Sequence, residues 1–428
     1  MPWKVDSMED QKHRFIADVQ RNEETFADIC RKAGISRKTG YKWLSRYRTL
    51  GMRGLVEMSR TARLSPHAVS DEIVRKVLSL RALHPKWGPK KLRKLMEGAA
   101  SPLDAPSFSS LTVPAVSTVG AILKRHGLCA VRRRVRRVPP DTQPFAAVDG
   151  PNASWSMDYK GQWKLGDGTI CYPFTLTDNF SRKILRCQAM SQIQGSACRL
   201  VLESAFREYG LPATIRSDNG APFAGRAVGG LTRLTVWLIK LGIRLERIDP
   251  GCPEQNGRHE RMHRTMIDEG VVRPPSRTLD EQQKRQERWV REFNEIRPHE
   301  ALQLRTPDKV FRPSKWEMPL HARDPEYGPH VVPMRVELEG HVRVGGLRLR
   351  VGMPLQGELV GIEDLGVGRF RVWFNFVDLG TCDIGEARRD DSNARYLRLG
   401  GTRPWKRSKA GPTAPMDADA AMDDMDGT

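Results

Sequence analysis

The apolar positions of residues 150–312 form strand-like runs first, and then strand-like runs that alternate with helix-like ones. Glycine and asparagine mark turns at 166–168 and 179–181. The predicted elements, in chain order, are strands at 154–159, 171–177 and 183–190, a helix at 196–209, a strand at 213–217, a helix at 231–241, a strand at 244–248 and a helix at 255–269. Hairpin strands followed by strand–helix units predict a central α/β core with a mixed sheet flanked by helices.

Residues 11–60 have the pattern of a helix-turn-helix unit. Phe26, Ile29 and Cys30 have helical spacing, Gly34 marks a turn, and Ser36 is the expected N-cap of a helix over 37–48. The apolar side chains of that second helix are expected in the core. Its polar side chains near the N-terminus are in the positions from which a recognition helix contacts DNA. The predicted DNA-binding residues of this helix are Arg37, Lys38, Thr39 and Lys42.

A second helix-turn-helix-like unit is predicted over residues 65–130. Helices are expected from Ser70, from Pro89 and from an N-cap at Ser117, with Gly127 ending the last one, and 98–116 has the composition of a loop. A basic, proline-containing linker follows at 131–150. Its charges favour contact with DNA phosphates, and the expected contacts are Arg132, Arg133, Arg134, Arg136 and Arg137.

Residues 330–390 are rich in strand patterns. Apolar and basic positions alternate over 341–351 around a Gly-Gly turn, and they alternate again over 369–376. One apolar face and one arginine-bearing face predict a C-terminal small β-barrel. The composition of residues 400–428 is basic and then acidic with few aromatic residues, which predicts a disordered tail.

Composition limits the classes of function. The chain has 428 residues, 39% of them hydrophobic, and a net charge of +20, which is typical of proteins that bind a polyanion such as nucleic acid. No apolar run is long enough for a membrane span, so no membrane partner is expected. The seven cysteines are scattered singly, which predicts free thiols in a reducing cytoplasm and no structural zinc.

Three carboxylates carry the candidate chemistry. Asp158 lies in a predicted strand, Asp218 at the end of another, and Glu260 on a predicted helix. Phosphodiester chemistry uses two metal ions that are held by oxygen ligands, so two Mg²⁺ (or Mn²⁺) ions are expected here. Asp158 is expected to bridge both ions, Asp218 to bind one and Glu260 the other. Three arginines surround Glu260 on its helix and are expected to contact DNA: Arg258, Arg261 and Arg264.

The core resembles the catalytic domain of retroviral integrases and of bacterial insertion-sequence transposases of the DDE type. The matching stretches are Ser156-Met-Asp158, Arg216-Ser-Asp-Asn-Gly220, Pro253-Glu-Gln-Asn-Gly-Arg-His-Glu-Arg261, and 293–302 followed by Thr306-Pro307. The resemblance implies a ribonuclease-H-like fold and a transposase that nicks transposon ends with water and joins the freed 3′-OH to target DNA. It also implies double-stranded DNA as partner, a homo-oligomer on DNA, and a bacterial cytoplasmic protein associated with the nucleoid. The zinc-binding His/Cys domain of retroviral integrases is absent from the sequence.

The sequence is compatible with more than one assignment at several positions. The segment between Asp218 and Glu260 is longer than in many members, with three glycines at 225–230 that predict a lengthened loop. Glu254, 36 positions after Asp218, is therefore an alternative third ligand, although the Gln-Asn-Gly context favours Glu260. His259 is expected on the surface or on the DNA side, and Asp178 is expected to stabilise a turn. Alternative functions are a DNA-binding regulator with a retired core and a nuclease that only hydrolyses.

Overall fold

The computed structural model describes residues 7–57, 69–98, 113–129, 145, 147–225, 227–249, 252–386, 388–389, 395–397 and 399–400. The chain forms two compact units, up to Ser70 and from Asp71 onward. The arginine run at 132–137 and the tail at 401–428 lie outside the described residues, so the predictions for them stay predictions. Within the described part of the chain, every helix is too short or too polar to span a membrane.

The first unit is a helix-turn-helix bundle. Its helices are α1 (Met8–Arg21), α2 (Phe26–Lys32) and α3 (Arg37–Leu50). Ser36 caps α3 by accepting from the Thr39 amide, and Gly34 supplies the left-handed turn at φ +67°, both as predicted. A Cβ added at Gly40 would lie 2.6 Å from Cys30 Sγ, so α2 and α3 pack closely. The core of the unit consists of Phe15, Ile16, Ile29, Cys30, Trp43, Leu44 and Leu55.

The second unit begins with three further helices. They are α4 (Asp71–Leu83), α5 (Pro89–Glu97) and α6 (Val116–Arg125). The prediction of Ser117 as an N-cap was wrong: Ala115 occupies the cap, without a side-chain hydrogen bond, and the helix begins one residue before Ser117. The buried indole of Trp87, between α4 and α5, donates to Glu269 Oε1 at 3.0 Å. This bond ties the helices to the end of the helix that carries Glu260.

A mixed sheet forms the centre of this unit. Strand β1 pairs antiparallel with β3 and parallel with β5; β3 also pairs antiparallel with β2 and β4, and β5 pairs parallel with β6. This order confirms the predicted mixed sheet and the ribonuclease-H-like core. The strands are β1 (Ser154–Tyr159), β2 (Trp163–Lys164), β3 (Ile170–Asp178), β4 (Ile184–Met190), β5 (Thr214–Ser217) and β6 (Arg244–Arg247).

Helices cover both faces of the sheet. One face is apolar: Trp155 and Met157 of β1 are fully buried there among side chains of α7 and α8. Successive residues of a strand point to opposite faces, so Ser156, Thr175 and Thr177 lie on the other face. Their hydroxyl groups make that face polar. The flanking helices are α7 (Gly195–Tyr209), α8 (Arg233–Lys240), α9 (Gly257–Asp268), α10 (Leu279–Arg291) and the short α11 (Pro307–Val310).

Two open four-stranded sheets follow the core. Their orders are β12-β11-β10-β7 and β13-β14-β9-β8. The predicted hairpin is confirmed, with its turn at Gly345-Gly346, but a closed β-barrel is not confirmed, since both sheets are open in the described residues. The strands are β7 (Val331–Arg335), β8 (His341–Val344), β9 (Leu347–Arg350), β10 (Leu359–Asp364), β11 (Arg369–Phe374), β12 (Val377–Asp383), β13 (Arg388–Arg389) and β14 (Arg395–Leu397).

The C-terminal sheets share one apolar core with α8 of the central unit. Leu231, Val236 and Ile239, from the loop before α8 and from α8 itself, are buried in the same cluster as residues of the two sheets. The lengthened loop after Asp218 therefore ends in this core. Arg247 of β6 holds the loop by donating to the carbonyl oxygens of Phe223 (2.7 Å) and Gly230 (2.9 Å).

Candidate active site

Asp158 and Asp218 lie side by side at the same level of the sheet. The parallel register of β1 and β5 pairs Ser154 with Thr214 and Ser156 with Arg216. The pairing ends there, and Asp158 and Asp218 each follow two residues later, close enough for the charge of Asp218 to raise the pKa of Asp158. Neighbouring strands are about 4.8 Å apart, and residues two apart in a strand point to the same face. The two carboxylates therefore converge at the polar face of the sheet.

Helix α9 brings Glu260 to the same face. His259 and His263, on either side of Glu260 in the helix, contact Thr175 of β3, and Thr175 is the antiparallel partner of Asp158. Glu260 itself is exposed, in the first turn of α9. Glu254 belongs to the short helical turn Pro253–Asn256 that precedes α9, and its side chain lies outside the described structure, so it stays the alternative third ligand.

Burial and the neighbouring acids raise the pKa of Asp158. The pKa of Asp158 is raised from its usual 3.8 to about 7, chiefly because the carboxyl group is desolvated, and further because Asp218 and Glu260 are negatively charged nearby. The backbone amide of Tyr159 and the charge of Lys160 offset part of this rise. The site thus concentrates negative charge that no described cation neutralises in full, and its donors are oxygen atoms. Both properties fit divalent metal ions.

A hydrogen-bond network of two threonines and two histidines contacts Asp158. Thr175 Oγ1 donates to the Asp158 carbonyl oxygen (3.0 Å) and is 2.8 Å from Nε2 of both His259 and His263. Thr177 Oγ1 is 2.8 Å from His259 Nδ1. The expectation that His259 lies on the surface was wrong: its side chain is 1% exposed, because its ring packs on the polar face of the sheet.

His263 is a site residue that the sequence reasoning missed. Its Nδ1 is 3.8 Å from Asp158 Oδ2, and Asp158, His259 and His263 form the group whose ligand atoms lie within 4.8 Å of one another. Burial lowers the pKa of His259 to about 3 and lowers that of His263 further, so both rings are neutral. The available signal was the i, i+4 spacing of the two histidines around Glu260.

Buried polar contacts around Arg216 hold the strand ends in place. This side chain pairs with Glu246 of β6 (Nη2–Oε2 2.9 Å) and donates to the Gln255 carbonyl oxygen at 3.2 Å. It therefore connects β5, which precedes Asp218, with the residues that lead into α9. On the other side of Asp218, Asn219 donates to the Ile248 carbonyl oxygen at 2.7 Å, so its amide stabilises the turn.

Several arginines lie on α9 and at the turn after β3. Arg258, Arg261 and Arg264 are exposed on α9, and Arg258 Nη1 donates to the Asn179 carbonyl oxygen at 3.0 Å. The sequence reasoning did not single out Arg182, whose buried Nη1 has no hydrogen-bond partner among the described residues. Burial, together with the charges of Arg258 and Arg261, lowers the pKa of Arg182 to about 10. Such a group of cations fits a phosphate.

Asp178 and the predicted DNA-binding residues of α3 lie away from the acids. Asp178 is buried and accepts from the amides of Asn152 (2.8 Å) and Ser181 (2.6 Å), so it stabilises the turn after β3, as predicted. In the first unit, Arg37, Lys38 and Lys42 are exposed on α3, while Thr39 is half-buried beside Ser36. Their contact with DNA stays a prediction.

Family profiles match most of these elements. Two profiles described as "Integrase core domain" match residues 148–253 and 241–307. A profile described as "Helix-turn-helix domain" matches residues 11–60, and one described as "Homeodomain-like domain" matches 39–108.

Relatives occur among mobile elements and retroviruses. An uncharacterized 39.2 kDa protein of insertion element IS476 from Xanthomonas euvesicatoria is 25% identical over 280 residues, which are 65% of this chain and 75% of that protein. An uncharacterized 31.7 kDa protein of insertion element IS407 from Burkholderia multivorans is 30% identical over 189 residues, 44% of this chain and 66% of that protein. The Gag-Pol polyprotein of gibbon ape leukemia virus is 24% identical over 58% of this chain but only 15% of the polyprotein.

Solved structures give a weaker likeness. The catalytic core domain of HTLV-2 integrase, solved with magnesium, is 15% identical with a TM-score of 0.30, covering 38% of this chain and 99% of that one. A simian T-cell lymphotropic virus intasome is 16% identical with a TM-score of 0.31, covering 60% and 84%. The strand order of the sheet, rather than these values, identifies the core fold of this chain.

Proposed function

We propose that this chain, which contains an integrase core domain together with helix-turn-helix segments and has homologues in insertion elements, is a DNA transposase. It would bind the ends of its element, nick them to free 3′-OH groups and join those groups to target DNA. The observation that carries the proposal is the closeness of Asp158, Asp218 and Glu260, whose negative charges act on one another where the parallel strands β1 and β5 end and α9 packs.

In this proposal Asp158, Asp218 and Glu260 hold two divalent ions, Mg²⁺ or Mn²⁺. The crowding that raises the pKa of Asp158 supports such a site, because a cation relieves it. When bound, the ions would help to generate the nucleophile and stabilise the leaving oxygen in an in-line displacement. Each acid comes from a different element of the fold. Arg216 holds two of these elements together, because it contacts Glu246 of β6 and the Gln255 carbonyl oxygen before α9.

Positive residues around the acids would hold the DNA backbone. Arg258, Arg261 and Arg264 are exposed on α9, the helix of Glu260, and Arg182 adds a half-buried guanidinium whose Nη1 is unpaired among the described residues. Phosphate contacts orient DNA without reading its sequence. Reading of the element ends is proposed for α3 through Arg37, Lys38, Thr39 and Lys42, and the linker arginines at 132–137 would add further phosphate contacts.

Nicking and joining both involve the 3′-oxygen of the element end, first as leaving group and then as nucleophile. In the first, an oxygen–phosphorus bond to water forms while the bond from phosphorus to the 3′-oxygen breaks. In the second, the freed 3′-oxygen attacks a target phosphodiester, and the target strand's own 3′-oxygen leaves. In this second reaction one phosphodiester bond forms for the one that breaks, so joining needs no external energy source. Because two ends must be joined together, we propose a homo-oligomer on DNA.

The test is a metal-dependent cleavage and joining assay on DNA that carries the element's terminal repeats. Wild type is expected to nick and join with Mg²⁺ or Mn²⁺, and Asp218→Asn is expected to lose both activities by at least about 10²-fold. Glu260→Gln is expected to be equally inactive, with Glu254→Gln as the matched control that keeps activity. Full activity in Glu260→Gln together with loss of activity in Glu254→Gln would make Glu254, not Glu260, the third metal ligand.

The same assay separates the alternatives. Nicking without joining favours a nuclease that only hydrolyses. Binding of the terminal repeats without nicking, with either ion, favours a DNA-binding regulator that has lost catalysis. Either result contradicts the transposase proposal.

A further inference from the structure

The hydroxyl of Thr175 determines which ring nitrogen carries the hydrogen in His259 and in His263. A hydroxyl has one hydrogen to donate, and Thr175 Oγ1 donates it to the Asp158 carbonyl oxygen at 3.0 Å. The two remaining contacts of this oxygen, each 2.8 Å long, go to Nε2 of His259 and Nε2 of His263. Both Nε2 atoms must therefore be donors. An imidazole that binds a metal ion carries a single ring hydrogen, and with that hydrogen on Nε2 the lone pair of each ring lies on Nδ1.

The two Nδ1 lone pairs have different partners. His259 Nδ1 is 2.8 Å from Thr177 Oγ1, which is able to donate to it. His263 Nδ1 faces Asp158 Oδ2 at 3.8 Å, and a carboxylate oxygen is also an acceptor. When Asp158 is ionised, its half-buried oxygen and the buried His263 nitrogen are two acceptors that repel each other, and a cation between them satisfies both. His263 is thus preorganised, by a network that fixes its ring and its tautomer, to offer nitrogen toward the acidic site.

The separation suits a single metal ion. Bonds from a first-row ion to imidazole nitrogen and to carboxylate oxygen are each roughly 2.0–2.2 Å, so together they span up to roughly 4.3 Å. The distance of 3.8 Å between His263 Nδ1 and Asp158 Oδ2 falls within that reach at an open bond angle. His263 is 5% exposed, so water competes little for its lone pair.

We infer that His263 Nδ1 is an additional ligand beside Asp158, so that one of the ion positions has a mixed nitrogen–oxygen donor set and prefers Mn²⁺ or a similar first-row transition ion to Mg²⁺ or Ca²⁺. Imidazole suits transition ions, whereas Mg²⁺ and Ca²⁺ bind almost entirely through oxygen. The inference rests on the proposed function only in that it concerns the same acidic site. His259, with both nitrogens hydrogen-bonded, supports the network without binding the ion.

The first measurement is calorimetric titration of the full-length protein, without DNA, using Mn²⁺ and Ca²⁺. His263→Asn is expected to weaken Mn²⁺ binding about 10- to 100-fold and to change Ca²⁺ binding by less than about threefold. The matched control is His330→Asn, the same substitution at an exposed turn, which is expected to change neither affinity. Equal Mn²⁺ affinity in His263→Asn and wild type would overturn the inference.

The second measurement needs no variant and therefore holds even if His263→Asn fails to fold. Pulsed electron paramagnetic resonance of wild type loaded with Mn²⁺ is expected to show coupling to an imidazole ¹⁴N nucleus. The coupling is expected to persist in His330→Asn and to vanish in His263→Asn. Mn²⁺ bound to wild type without ¹⁴N coupling contradicts the inference, as does coupling that remains in folded His263→Asn.

The outcomes keep this inference apart from the proposed function. Wild type that joins DNA with Mn²⁺ but shows no ¹⁴N coupling refutes the nitrogen ligand and leaves the transposase proposal standing. Wild type that shows the coupling but neither nicks nor joins DNA refutes the transposase proposal and leaves the nitrogen ligand standing.

Discussion

Replacing Asp158 by asparagine should stabilise the metal-free protein. In the folded chain its pKa is about 7 against a usual 3.8, because the carboxyl group is desolvated and lies near Asp218 and Glu260. At about 1.36 kcal/mol per pKa unit, ionising Asp158 in the folded state costs about 4 kcal/mol more than in the unfolded chain. Asparagine has nearly the same shape and no charge, so it removes this cost.

The pH dependence gives the sharper test. Since the folded state holds the Asp158 proton more tightly than the unfolded state, the stability of wild type falls as pH rises from about 4 to about 7. The gain from Asp158→Asn should therefore be less than about 1 kcal/mol at pH 4 and should approach about 4 kcal/mol at pH 8. Differential scanning calorimetry across this range, with the exposed Asp268→Asn as control, measures it.

Metal supplies the complementary arm of the experiment. Mg²⁺ that binds only the folded state stabilises wild type, and it should stabilise Asp158→Asn far less, so the difference between the two proteins shrinks or reverses at pH 8. If Asp158→Asn were less stable than wild type at pH 8 without metal, or if the gain were as large at pH 4 as at pH 8, the account of charge crowding would be wrong.

Three further outcomes are expected. Glu269→Gln should lower the free energy of unfolding by about 3 kcal/mol, because Glu269 forms an ion pair with the largely buried Arg297, and Glu295→Gln, at an exposed position, should have no such effect in chemical denaturation. Gly34→Ala should cost about 1 kcal/mol, seen by calorimetry, because the position has φ +67° although nothing obstructs a Cβ. Lys38→Ala should make the slope of log affinity for DNA against log salt shallower by about 1, and an unchanged slope would exclude a phosphate contact by this lysine.

Much of the central fold follows from local pattern. Strand β1 was predicted with its observed bounds because its apolar and polar residues alternate between two covered faces, and α9 differs from its prediction by a short turn at its start. Closure of the C-terminal strands did not follow, because alternation fixes the faces of a sheet but not whether its edge strands pair.

The candidate site was predictable to a similar extent. The sequence singled out Asp158, Asp218 and Glu260, and the structure brings their elements to one face; their catalytic roles stay predictions. His259 was misplaced, and His263 was missed, because their surroundings come from Thr175 and Thr177, on a strand more than 80 positions earlier in the chain. A helix pattern shows which residues share a face, but it does not show that the opposing strand is polar.

The apolar core that α8 shares with the C-terminal sheets limits which segments related proteins could exchange during evolution. Leu231, Val236 and Ile239 would become solvent-exposed if the sheets were removed, at a cost of about 1.5–3 kcal/mol for each side chain. A fragment that ends at residue 312 would therefore expose an apolar surface, close in the chain to the loop that begins at Asp218. An exchange of C-terminal segments between relatives would have to bring matching α8 residues with it, so these two regions are expected to evolve as one inherited piece.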